Sequence, residues 1–76
     1  MEYTKRQQEI LALLDVTDEP QEIVSPSGEV VILEPLGVAL YDFINGCEAL
    51  ENYEDMNAAI DIFAGMYPEE YFLLLD

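Results

Sequence analysis

The spacing of apolar positions divides the chain into five stretches. Over residues 4–16, Ile10, Leu11, Leu13 and Leu14, with Tyr3 and Val16 at the margins, cluster on one broad helical face. Thr4 and Gln7 have capping-box spacing, in which each side chain satisfies the other's backbone N–H, so a helix is predicted from Thr4. The segment TDEP at 17–20 stops it, because Pro20 bars smooth continuation.

Alternation then replaces helical spacing. In EIVSPSGEVVILE, residues 22–34, two β-branched runs flank Ser25-Pro26-Ser27-Gly28, with Pro26 suited to a turn and Gly28 to a left-handed or bulge position. A β-hairpin is predicted. Val30 and Ile32 project to one face and Val31 and Leu33 to the other, so helices or a partner chain are needed to cover it.

Helical spacing returns after Pro35, with a stripe of Leu36, Leu40, Phe43, Ile44, Cys47 and Leu50 opposite Asp42, Asn45, Glu48 and Glu51. Gly37 and Gly46 weaken this helix, and Gly46 is expected to allow a close helix approach. Asn52 can cap a third helix whose stripe is Met56, Ala59, Ile60, Phe63, Met66 and Tyr67, with Glu54 and Asp55 in its positive first turn. Pro68 opens a short fourth helix, in which Tyr71 to Leu75 are all expected to be largely buried, within the domain or against a partner. The expected fold is one small α+β domain over residues 1–76: N-terminal helix, hairpin, then two to three C-terminal helices, with the helical stripes covering one face of the hairpin. Helices two and three, followed by Pro68, have the spacing of a tetratricopeptide-type hairpin. However, Met56, Ile60 and Phe63 stand where small residues would be required, and one unit cannot form a solenoid.

Charge changes the picture most. Seventeen acids oppose two bases, for a net charge of −15, and nothing after Arg6 is basic. Solubility alone asks for a net charge of only about 2 to 8 in a small domain. Backbone phosphates and anionic lipid would repel such a chain, so direct nucleic-acid and membrane binding are excluded. No apolar run approaches the length of a membrane span, and the amino terminus lacks the pattern of a signal peptide. Cys47, the sole cysteine, cannot form an internal disulfide, so a cytoplasmic setting is expected.

Catalytic chemistry finds little to work with. Histidine is absent, Lys5 lies near the terminus, and Cys47 falls on an apolar stripe as a small core residue, so no enzyme is expected. The acidic runs lack the ligand alternation, central glycine and terminal glutamate of a calcium loop, and neither metal nor cofactor is expected. Phe43, Phe63 and Phe72 read as core.

CEALENYEDM, residues 47–56, concentrates four carboxylates without an adjacent base. Asp42, Glu48, Glu51, Glu54, Asp55 and Asp61 can form rows of anions on helices, at separations comparable in scale to neighbouring phosphates. Tyr41 and Tyr53 among them supply the apolar component of a protein-binding surface. One reading is solvation of the helices' outer faces. The other is a stoichiometric inhibitor that occupies the basic channel of a nucleic-acid-binding or nuclease-type protein by nucleic-acid mimicry, a device of use to a phage or mobile element countering host defence. A rival is a structural or adaptor protein, homodimeric through Val30–Leu33 or Tyr71–Leu75, with its charge serving solubility.

Overall fold

The computed structural model describes residues 2–75 in the order α1 Lys5–Leu13, β1 Gln21–Val24, β2 Val30–Leu33, α2 Pro35–Ala49, α3 Tyr53–Met66 and α4 Pro68–Leu74. This is the expected α+β arrangement. Its boundaries follow from local chemistry. The Thr4 Oγ1 accepts from the Gln7 N–H at 3.1 Å, and Gln7 Oε1 accepts from the Thr4 N–H at 2.9 Å, closing the capping box. The same side chain also reaches α3, where Gln7 Nε2 donates to the Ala58 carbonyl at 3.2 Å, which satisfies the amide in its buried position.

β1 and β2 pair antiparallel, with Val24 opposite Val30 and Gln21 opposite Leu33. In the loop, the Ser25 N–H donates to the Glu29 carbonyl at 2.8 Å, the Gly28 N–H to the Ser25 carbonyl at 2.9 Å, and the Glu29 N–H to Ser25 Oγ at 3.0 Å. Gly28 sits at φ 90°, where a side chain would be strained. Pro35 and Pro68 stand at the starts of α2 and α4 as predicted.

α3 forms the centre, contacted by α1, α2 and α4, while β2 packs on α2 and α4. Phe63, Ile10, Leu33, Leu40, Ile44 and Ile62 are fully enclosed. Contact from three sides demands a wider apolar face on α3 than one stripe supplies, so Ile62, absent from the predicted stripe, is enclosed and Ile60 only half-buried.

Several predicted core positions lie outside. α1 buries Gln7 and Ile10 and ends at Leu13, which is exposed, and Val16 lies beyond the helix and is exposed as well. Leu50 follows the last turn of α2 and is 82% exposed. Five consecutive apolar residues encircle a helix, so α4 buries Leu74, half-buries Tyr71, Leu73 and Leu75, and leaves Phe72 67% exposed. Phe43 is half-buried. On the hairpin, Val31 and Leu33 enter the core, whereas Val30 and Ile32 remain uncovered.

The close approach occurs at Gly37. A Cβ there would stand 3.3 Å from Tyr67 Cε2 and 3.4 Å from Leu33 Cδ2, while one at Gly46 would meet nothing within 4 Å. Tyr67 is held over Gly37 by a hydrogen bond from its hydroxyl to Glu34 Oε2 at 3.3 Å and by a tilted ring contact with Phe63, centroids 5.5 Å apart.

Candidate functional site

α2 and α3 meet at a corner three residues long, Leu50 to Asn52. The Asn52 N–H donates to the Cys47 carbonyl at 2.8 Å and the Glu51 N–H to the Glu48 carbonyl at 3.1 Å, the two bonds of a Schellman motif. Glu51 occupies its left-handed position, φ 57°, where glycine is usual. Asn52 then caps α3, its Oδ1 accepting from the Asp55 N–H at 3.4 Å.

This geometry turns the chain sharply and displays Glu48, Glu51 and Glu54 in solvent within one corner. Beside them stand Leu50 and Tyr53, the latter 53% exposed. Leu50 is the residue the periodic reading assigns to the core; the end of α2 immediately before it leaves it no neighbour to pack on. The combination is anionic with two apolar projections.

Asp55 behaves differently from the other carboxylates. Although no base adjoins it in sequence, Arg6 reaches it across 49 residues in a bidentate pair, Nε to Oδ1 at 2.8 Å and Nη2 to Oδ2 at 2.6 Å. The Asn52 Nδ2 donates to Oδ2 at 3.0 Å. The hydrogen bond from Arg6, joined by that from Asn52, holds the Asp55 carboxyl below the usual carboxylate range. Arg6 also lies 3.7 Å from Glu9. Among the described residues, the run 47–56 therefore displays three unpaired carboxylates rather than four, and Asp55 serves to join α1 to α3.

The remaining site residues are dispersed. Asp42 lies six residues before Glu48, about 120° away around α2, on the rim of a surface hollow of about 390 Å³ that Leu13, Leu14, Ala39 and Phe43 also line. Glu54 and Asp61, seven apart, share the solvent face of α3, about 10 Å from each other along its axis. Tyr41 is half-buried against the core, so of the two tyrosines Tyr53 is the exposed one.

Cys47 is buried, and burial pushes its thiol pKa up, with the Asp55 charge adding to the effect. Among the described residues, no three His, Cys, Asp or Glu side chains converge to hold a metal ion, and no helix is long and apolar enough to cross a membrane. Comparison with protein-family models, curated proteins and solved structures returned no match for this chain.

Proposed function

We propose that the domain is a non-enzymatic, cytoplasmic interaction module whose α2–α3 corner docks into the basic channel of a nucleic-acid-binding or nuclease-type protein. It acts stoichiometrically, standing in for the nucleic acid, as a viral or mobile-element inhibitor would. One observation carries this reading: Glu48, Glu51 and Glu54 share a single corner with no cation paired to them among the described residues, beside exposed Leu50 and Tyr53. An arginine- or lysine-lined channel would pair with these carboxylates, and the net charge of −15 would speed encounter. Asp42 and Asp61 extend the field along the two helices, and Tyr41 supports α2 from its half-buried position.

The test compares the tagged wild-type domain with a Glu48→Lys/Glu51→Lys/Glu54→Lys variant for capture of proteins from the native host lysate. The expected result is a basic protein retained by the wild type at low salt, displaced by duplex DNA or by RNA, and lost in the variant. Retention that neither oligonucleotide nor the variant changes refutes the proposal. Asp55 is left intact in this design because replacing it would break the contact with Arg6.

A second reading is favoured by the uncovered hairpin face, where Val24, Val30 and Ile32 are 67%, 61% and 64% exposed. The domain is then a structural or adaptor protein whose contact is apolar, including self-association through Val30–Leu33 or the Tyr71–Leu75 segment. In that case binding holds or strengthens as salt rises.

A further inference from the structure

The hairpin is uncovered in two senses, and both point to the same kind of occupant. Its open face carries Val24, Val30 and Ile32 together with Glu22, which lies opposite Ile32. Among the described residues, its outer edge is also without a hydrogen-bonded strand. The Ser25 N–H bond to the Glu29 carbonyl makes 25 and 29 a hydrogen-bonded position, so pairs 23/31 and 21/33 are bonded in turn. Glu22 and Val24 consequently direct their N–H and C=O groups away from β2. β2 is flanked by α2 and α4, whereas β1 is held by its pairing with β2.

A second copy of the chain is poorly suited to this surface. Three exposed side chains offer on the order of 300 Å² per copy, about half of what a stable interface buries on each side. Two copies would also bring together two surfaces of the same sign, each carrying a net charge of −15. A strand of opposite charge avoids the repulsion, because a cation meets Glu22 while backbone hydrogen bonds add to the apolar contact.

We infer that β1 is a docking edge for an extended segment of a basic partner protein, added as a third strand, with an apolar residue beside Val24 and a lysine or arginine beside Glu22. Side chains two apart on the incoming strand share a face, so the pattern recognised is a cation and an apolar residue separated by one residue, in the order that strand direction sets. Glu29 and Glu34, exposed at the two ends of β2, add anionic charge around the same hairpin. This inference rests on the hairpin-contact reading, to which it adds a charged contact at Glu22 that salt weakens, and it is independent of the acidic corner.

The probe is the peptide acetyl-Thr-Lys-Thr-Val-Thr-Lys-Thr-amide, titrated into the full-length isotopically labelled domain, with a peptide carrying Glu in place of Lys as control. The expected result is saturable binding of the lysine peptide at a Kd of about 1 mM or below, with slowed amide exchange at Glu22 and Val24. Val24→Lys and Glu22→Lys, both at exposed positions, should each weaken it at least about fivefold while leaving the far-ultraviolet circular dichroism unchanged. Should either variant unfold, the other and the exchange data still decide. Amide shifts confined to Glu48–Glu54 would overturn the inference and favour the acidic corner. Absence of binding, equal binding of the glutamate peptide, or dimerisation through the hairpin without peptide would also overturn it.

Discussion

Arg6 and Asp55 stand 49 residues apart in sequence and meet through two hydrogen bonds, at 2.8 and 2.6 Å, that tie α1 to the first turn of α3. One of the chain's two cations is thereby committed to an internal contact, so the surface is more uniformly anionic than the composition implies.

The sign of the pH dependence follows from this pair. Because the Asp55 carboxyl is held below its ordinary value, its contribution to stability is complete above about pH 3.9 and is lost as pH falls through the lowered folded value. Asp55→Asn should therefore lower the Tm at pH 7, and the gap from wild type should narrow as pH falls below about 3.9. Thermal melts across that range check it. A gap of constant size would mean that Asp55 contributes through something other than its charge.

Glu51 holds a backbone conformation that glycine adopts without strain. Glu51→Gly should stabilise the fold by about 1 kcal/mol, or about 4–8 °C in Tm for a domain of this size. It should also weaken any partner that reads the corner. Denaturant titration alongside a binding assay separates the two effects, and a fall in stability would contradict the strain at φ 57°.

The two glycines of α2 should respond oppositely to alanine. Gly46→Ala adds a methyl to open space and should gain up to about 1 kcal/mol from helix propensity. Gly37→Ala presses a methyl against a Tyr67 ring pinned by Glu34 and Phe63, and should lose about 1 kcal/mol net. Equilibrium unfolding of both variants is the measurement, with equal gains at both sites as the contrary result.

Cys47 should behave as a core side chain toward thiol reagents. Its raised pKa and burial predict native-state alkylation on the order of a hundredfold slower than in denaturant at neutral pH. Mass spectrometry of time points reads this directly. Comparable rates would show that the end of α2 opens readily.

Features governed by a few neighbouring residues were legible in the sequence: the Thr4–Gln7 box, Gly28 in the hairpin loop, Asn52 before α3, and the prolines that open α2 and α4. Periodicity was less reliable where helices end or are surrounded. It placed Leu50 and Phe72 inside, because spacing shows which face a residue occupies but not whether a neighbour reaches that level. It passed over Ile62 because contact from three directions widens the apolar face of α3. The acidic corner was visible as a local run, but its depletion by one carboxylate was not, since no local rule brings residue 6 to residue 55.

Gln7 joins two processes that are separable in most helices, initiation and docking. One end of its amide completes the cap of α1 while the other holds the Ala58 carbonyl, and a nine-residue helix has little persistence alone. α1 is thus a single cooperative unit: when it detaches it also melts, its cap and its anchor released in one event. The same event frees Asp55 from Arg6, so opening of the amino-terminal segment adds a fourth available carboxylate to the run that begins at Cys47. Local unfolding at one end of the chain would in this way tune the charge presented by the neighbouring helix.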